Sequence, residues 1–525
     1  MGKVVQLTLN FDQDLEAKLQ QKHGNFRDYR LLGQSLDARG ANRGRSPKYH
    51  YRVELVYGSE KFSRFQKQFP QLPPLQNPPI IIGAGPAGLF CALRFSEYGI
   101  PCQIFERGSR AHQRMKSIAR FWRYGELYRD DNVCFGEGGA GLFSDGKLIT
   151  RIKSPHVSYV MQRFVDFGAP EDTAYVSNPH LGSNKIRGLI NKITDHLRSK
   201  GTHVHYNTRV ESLLTDSQNQ RVVGIQTSDG KNWESDHVIL ATGHSADEMY
   251  RHLKHKSVQM RRKDFAVGVR IEHPRRLIDH LQYGKFADDK RLGSARYRLS
   301  YHNHEEGRGT YSFCMCPGGY VLSSGTKPDG IVVNGMSNYA RNSPWSNAAL
   351  VVTVDSHRDL KGESSASDPL SGLEFQHSIE KKAHQLSLEK ASGKELPGQN
   401  LKDFLQGGTS QTLAKSSTPS KTVSASLFEV LPDFVHHNLF AALNEFDKKM
   451  PGFVTDEALL LAPETRTSAP LTIERSREAH ESLSHRGLYP CGEGAGHAGG
   501  ITSAAVDGID VAESILSSRY DLNSK

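Results

Sequence analysis

Two apolar patterns alternate along this chain. One is the short unbroken run, as in Ile80-Ile81-Ile82, Ile104-Phe105 and Val238-Ile239-Leu240, which marks strands covered on both faces of a sheet. The other is the helical stripe, as in Ile186, Leu189, Ile190, Ile193 and Leu197 within residues 183–201, which buries one face of a helix. Read in order, these patterns predict a strand at 80–82, a helix over 89–95 closed by Gly99 and Pro101, and a strand at 102–106. Strands at 203–206 and 210–214, a meander over 222–227 and 232–234, and a strand at 236–240 running into Ala241-Thr242-Gly243-His244 follow.

The flanks read differently. Before residue 75 the pattern predicts a strand at 4–9, a helix at 12–20 and strands at 31–36 and 49–56, a small α/β module of ferredoxin-like type. Pro70 to Pro79 is a stiff, proline-rich connector. In the module, Arg39 to Arg45 is either a docking loop or a flexible one. From Arg261 onward the chain turns strand-rich, with runs at 265–271, 311–316, 320–322 and 331–333. A helical and then Ser/Thr-rich stretch spans 373–426, with a mobile loop expected over 407–422. The expected fold class is α/β: a Rossmann-like dinucleotide domain (77–260 and 481–525), an inserted β-rich substrate or cap domain (261–480), and the N-terminal module (1–76).

Composition narrows this picture. At 525 residues with mean hydropathy −0.54, the chain has no apolar run approaching the ~20 residues of a membrane span. Its first ten residues lack the pattern of a secretory leader, so a cytoplasmic location is expected. The six cysteines are scattered, with no spacing of a zinc or iron-sulfur site, so no metal is expected. A net charge of +10 is concentrated in part at Arg107, Arg110, Arg114, Lys116, Arg120, Arg123 and Arg129. A phosphate-bearing or acidic small substrate accounts for it as well as nucleic acid does, and a solvated charged face is the more ordinary reading.

Three glycine-dense motifs carry the chemistry. In Gly83-Ala84-Gly85-Pro86-Ala87-Gly88, Gly83 permits a sharp turn after the strand. Gly85 removes the side chain that would hold backbone away from a pyrophosphate, and Gly88 lets the next helix pack closely. Glu106, about 20 residues on and followed by Arg107, stands where an acid accepts ribose hydroxyls. The second motif, Phe135 to Leu148, has Gly138 and Gly139 to lie flat against a planar ligand and Ser144, Asp145 and Lys147 as polar groups; a surface turn is its alternative. The third runs from Gly487 through Cys491-Gly492-Glu493-Gly494 to Gly499-Gly500-Ile501, a strand, a turn and a helix of small residues whose N–H groups suit anionic oxygen. Alone the first motif could hold NAD or FAD; the strand returning at Ala241-Thr242-Gly243, with Val210 as a further candidate contact, recurs in two-dinucleotide-fold flavoproteins.

The runs Glu464 to Pro470, Cys491 to Gly496, Gly499 to Gly508 and Cys316-Pro317-Gly318-Gly319 resemble those of a family of FAD-dependent dehydrogenases of the NAD(FAD)-utilizing type, over nearly all of the chain from Pro78 to Ile515 and including the N-terminal module. The resemblance implies FAD in a Rossmann-like domain beneath a β-rich cap, a layout similar to geranylgeranyl reductases and aromatic hydroxylases. Ala469 departs from the serine common there. Glu493 takes the place where such flavoproteins put an aspartate facing the ribityl chain. The expected activity is hydride or electron transfer through flavin N5 to or from a small molecule, anionic or neutral, with NAD(P)H as a transient donor. Only one complete fingerprint is visible, so no second resident nicotinamide domain is expected.

Catalytic candidates are weaker. Glu464 and Arg466 either line the substrate face or form a buried ion pair. Cys314 and Cys316, at strand period two, are either a redox pair or packed thiols. His497 is either an acid beside the flavin or a packing histidine. Rival readings are a flavin monooxygenase, a flavin-dependent RNA-modifying enzyme, and an FAD-binding scaffold or redox sensor.

Overall fold

A computed structural model describes residues 2–62, 69–216, 218, 220–360 and 368–520. At its centre lies a five-stranded parallel sheet in the order Leu488–Pro490, Val238–Leu240, Ile80–Ile82, Gln103–Phe105, His203–His205. Its short apolar runs are buried because both faces are covered. Ile81, Ile104 and Ile239 pack with helices Pro86–Glu97, Gly182–Ser199 and Ile501–Tyr520. Ile80, Ile82, Phe105, Val238 and Leu240 pack on the other side with Leu213, Val222 and Ile225 of the three-stranded meander Val210–Thr215, Val222–Thr227, Asn232–Glu234. The small residues of the last helix have a direct steric reason: a Cβ on Gly508 would lie 2.1 Å from the Ala87 carbonyl.

The cap is a seven-stranded sheet ordered Ser300–Asn303, Arg308–Cys316, Trp345–Val354, Phe265–Pro274, Leu459–Glu464, Leu396–Asn400, Thr422–Ser424. All its pairs are antiparallel except the last. Helices Ser371–Lys390 and Asp433–Lys449 contribute Ile379, Ala383, Leu439 and Leu443 to its core. Chain passages between the two units run side by side, Met260–Arg262 pairing antiparallel with Leu471–Ile473.

Residues 407–422, expected to be a mobile loop, are tied down. Asn400 N–H donates to Ser410 Oγ (2.9 Å), Asn400 Nδ2 donates to the Thr412 carbonyl (2.8 Å), and Ser417 N–H donates to the buried carboxylate of Glu272 (3.0 Å). Ser417 here reaches a strand distant in sequence, which local composition does not reveal.

The N-terminal module comprises Lys3–Asn10, Leu15–His23, Asp28–Asp37 and Lys48–Val56, with an antiparallel sheet in which the last strand is central. Period-two burial of Val5, Leu7 and Leu9 supplies its core with Leu19, Val53 and Leu55. Of the expected ferredoxin-like topology the described residues show the first three strands and the first helix; residues 63–68, which follow them, lie outside the described residues. The module is docked through Ser177 N–H to the Gln34 carbonyl (2.8 Å) and Tyr49 Oη to the Arg291 carbonyl (3.1 Å). The 39–45 turn is a docking loop, with Ala41 buried and its carbonyl beside Gly284.

Asp145 fastens the nucleotide unit to the cap. Its carboxylate is fully buried, accepts from Arg341 Nε at 3.2 Å and from Ser337 Oγ, and lies 3.8 Å from Lys147 Nζ. Those cations hold it below the usual carboxylate range against the opposing effect of burial. Asp145→Ala leaves Arg341 buried and unpaired, and is expected to lower stability by about 3–5 kcal/mol in denaturant titration. The double variant Asp145→Ala, Arg341→Met should recover much of that loss.

Candidate active site

A cavity of about 1750 Å³ runs from the carboxyl ends of the parallel strands to the cap strand Arg308–Cys316. It exceeds the roughly 300–1,000 Å³ of a drug-sized ligand site, leaving room for a dinucleotide and a second molecule. It lies at the end of an open parallel sheet where such folds bind ligands.

At one end the glycines do what their spacing implies. Gly83 (φ +107°) passes so close to Ala241 that a Cβ would lie 2.4 Å from the Ala241 carbonyl oxygen. A Cβ on Gly88 would lie 2.1 Å from the Gly83 carbonyl oxygen. Gly85 differs, because its added Cβ would meet nothing nearer than Gly139 Cα at 4.0 Å. Its own backbone is extended (φ −80°, ψ −177°), and no side chain caps the helix that Pro86 begins. First-turn N–H groups therefore stand beside open space that suits an anion.

Glu106 organises this end. Its Oε2 accepts from Ala84 N–H (2.9 Å), and its Oε1 accepts from Gly108 N–H (3.0 Å) and Gly136 N–H (2.9 Å). A lone pair on Oε2 remains for a ribose hydroxyl. Arg107 is held over Phe135, 4.0 Å from the ring centroid, and paired with Asp130 and Glu248.

Arg114, which the basic run presents as one more surface charge, is fully buried. It donates to the carbonyls of Glu137 (2.7 Å), Gly139 (3.0 Å), Gly136 (3.2 Å), Asn132 (2.7 Å) and Val133 (3.1 Å). Burial pushes it down to about 10, which leaves it charged at neutral pH. It gathers the 132–139 loop so that Gly139 lies against Gly85. Arg110, Arg120 and Arg129 are also paired, with Asp195, Glu126 and Glu248.

The other predicted residues divide into lining and support. Pro86, Ala87, Gly139, Ser144, Lys147, Val210, Ala241, Thr242, Gly243, Glu493, Gly500 and Ile501 line the cavity. Gly138 packs behind it near Ile190, and Gly492 near Ala87. Ser144 closes its own turn, donating to the Gly141 carbonyl (2.8 Å) and accepting from Gly146 N–H (3.0 Å). Lys147 donates to the Met315 carbonyl.

The last turn is set by two residues that sequence reasoning passed over as bearers of a role. Asp507 accepts from Gly492 N–H at 2.7 Å and is braced by Arg475. Gly494 presses on the Gly243 carbonyl, where a Cβ would come within 2.3 Å. Glu493 extends into the cavity without a side-chain hydrogen bond to protein among the described residues, and burial pushes it up to about 7 against the pull of Lys263.

The catalytic candidates separate. Glu464 and Arg466 both line the cavity, and each is paired, though not to the other: Glu464 with Arg270 (2.8 Å), Arg466 with Glu380 (2.9 Å). His497 donates from Nε2 to the Ile473 carbonyl (2.9 Å), and burial pushes it down to about 4. Of the two readings, that bond and that burial accord with a packing histidine. Cys314 and Cys316 are not a simple period-two pair, because a bulge follows Phe313 and Cys314 sits at φ +43°. Cys314 lines the cavity and Cys316 is buried, its thiol donating to the Cys314 carbonyl at 3.3 Å. His244 also lines the cavity, its Nδ1 2.8 Å from Ser245 Oγ and its ring held down to about 4 by burial. No cluster of metal-ligating side chains occurs among the described residues.

The residues fit FAD: an open glycine cradle beside an uncapped helix, an acid with a lone pair in reserve, and a carboxyl facing the chamber without a protein partner. Fold and site thus define a flavoprotein with a Rossmann-like domain and a substrate cap. A family model described as "FAD-dependent protein, C-terminal domain-like" matches residues 264–467, and one described as "Flavin containing amine oxidoreductase" matches 180–263. An uncharacterized protein of Clostridium beijerinckii is 42% identical over 448 residues, covering 85% of this chain and 81% of its own.

The chain belongs to the same family as that protein, a family of FAD-dependent oxidoreductases. Solved structures to which the chain shows similarity include pqsL, a probable FAD-dependent monooxygenase from Pseudomonas aeruginosa (11% identity, 85% and 87% coverage of this chain and that one, TM-score 0.34). Another is CtdE in complex with FAD (12% identity, 84% coverage of each, TM-score 0.31). Similarity of that order decides nothing about reaction or substrate. No helix among the described residues is long and apolar enough to cross a membrane.

Two outcomes test the site. Gly85→Ala should fold with an unchanged thermal midpoint yet lose FAD affinity about 10- to 100-fold, the worth of a hydrogen bond to a charged group. Gly88→Ala should instead destabilise the fold by about 1–3 kcal/mol. The second outcome concerns Glu493, whose proton is held by the folded FAD-free protein up to about pH 7, whereas the unfolded chain releases it near ~4.3. Stability therefore falls as pH rises between those values and is level above them. In thermal melts of FAD-free protein, Glu493→Gln should remove that part of the decline.

Proposed function

We propose that the protein is a dehydrogenase or reductase acting on a small molecule held between the parallel sheet and the cap. The observation that carries this reading is the continuity of one chamber from the Gly85 cradle to the cap strand Arg308–Cys316. Bound FAD supplies two-electron transfer at N5. The chain's residues do the rest. The Gly85 turn and the helix beginning at Pro86 hold the pyrophosphate, Glu106 orients the ribose, and Glu493 meets the ribityl region. Ala498, Gly500 and Ile501 offer backbone donors, and the helix from Ile501 its terminus, to charge that develops on the ring. Glu493, pushed up to about 7 by burial, can hold or release a proton at its carboxyl oxygen. The cap sheet excludes water, and NADH or NADPH reaches the chamber as a transient partner.

Neutralised arginines at 107, 110, 120 and 129, with Arg114 buried, favour a small molecule over RNA as partner. Anaerobic mixing of the FAD-loaded protein with NADH, NADPH and pooled metabolites tests the reading. Bleaching of the flavin absorbance without oxygen, with return of colour on adding an oxidised acceptor, is the expected outcome. Turnover that requires oxygen and places an oxygen atom in the product would replace it with a monooxygenase, and no turnover with any reductant would leave an FAD-binding scaffold.

A further inference from the structure

The outer wall of the chamber combines unpaired cations with exposed apolar side chains, and the proposed chemistry uses neither. Residues 296–300 run beside 311–315: Ser300 pairs with Tyr311, and Leu299 N–H donates to Ser312 Oγ at 2.8 Å. In this extended run leading into the strand Ser300–Asn303, Tyr297 and Leu299 pack into the cap core, 8% and 7% exposed, while Arg298 is exposed. Continuing the Ser300 to Tyr311 register places Arg298 across from Phe313, itself 38% exposed. Ile149 and Ile152, 44% and 41% exposed, line the same cavity from the nucleotide unit. Three of the exposed large apolar side chains among the described residues thus share one chamber.

The charges there do not balance. Arg296 lines the cavity, and its one hydrogen bond among the described residues is a long one to the Asn178 carbonyl at 3.4 Å. Burial and neighbouring Arg341 push it down to about 10, so it stays charged and lacks a counter-ion. The carboxylate in this region, Asp145, is already engaged by Arg341 and Lys147. Arg298 has no salt bridge to a described residue. A partly buried guanidinium without an anion is costly, and its planar fork matches a carboxylate or phosphate. The FAD pyrophosphate does not answer this need, since its cradle is at Gly85 on the parallel-sheet end.

We propose that Arg296 and Arg298 form an oxyanion-binding subsite for an amphipathic substrate, whose carboxylate or phosphate they hold while its apolar body lies along Phe313, Ile149 and Ile152. This rests on the reading of the cap cleft as the substrate site.

Calorimetric titration of the FAD-loaded protein with decanoate, decyl phosphate and decanol tests it, with FAD per chain measured in each sample. At least one anion should bind about ten-fold or more tightly than decanol, the better of the two distinguishing carboxylate from phosphate. Arg296→Gln and Arg298→Gln should each weaken the anion about ten-fold, leaving decanol binding and FAD content unchanged. Equal binding of anion and alcohol by FAD-loaded protein overturns this subsite alone. So do substitutions that weaken NADPH without changing decanoate or decyl phosphate. Protein that takes up no FAD would instead defeat the flavin reading beneath it.

Discussion

The structure depends on bare backbone meeting bare backbone at the ends of three parallel strands. Gly83 lies against Ala241, Gly85 against Gly139, and Gly494 against Gly243. The first and last contacts bring a strand-end turn closer to its neighbour than a Cβ permits (2.4 and 2.3 Å), whereas Gly85 leaves room for one. Three consequences follow together: the helices close onto the sheet, the turn N–H groups face one chamber, and the chamber's wall at that end carries few side chains. Glu106 and Arg114 fix the arrangement from behind, one collecting N–H groups and the other carbonyls. Both are buried charges whose hydrogen-bonding capacity is largely met, the condition under which burial of charge is tolerated.

From this base the cap is positioned rather than merely attached. The chain passes outward and back through the paired strands Met260–Arg262 and Leu471–Ile473. Asp145 then reaches from the nucleotide unit to Arg341 and Ser337 of the cap. Two separated ties limit how far the cap sheet can move from the chamber. A cavity between such units is a natural place for chemistry that must exclude water, and the ion pairs Glu464 with Arg270 and Arg466 with Glu380 give its walls a fixed polar pattern.

How much of this was legible in the sequence follows from the range of each interaction. The parallel strands and the first glycine turn were legible because their signals are local: three β-branched residues, then glycines at fixed offsets. The cap was legible as strand-rich, but its strands Trp345–Val354 and Leu459–Glu464 were not singled out. Their apolar runs carry no local turn signal that assigns them to one sheet. Arg114 was invisible as a hub because a basic run looks alike whether its members face water or carbonyls contributed from 18 to 25 residues away. The Ser/Thr-rich 407–422 segment misled for the same reason, and the bulge at Cys314 broke a period that the residues alone suggest. Candidate lining residues were largely identifiable; which of them support and which face the chamber was decided by tertiary contacts.

An experimental structure of the FAD-loaded protein tests the central claim most directly. Pyrophosphate density against Gly85 and the helix starting at Pro86, a ribose at Glu106 and the ribityl chain at Glu493 is the expected result. FAD bound elsewhere, with a side chain or water network filling the space over Gly85, would contradict it.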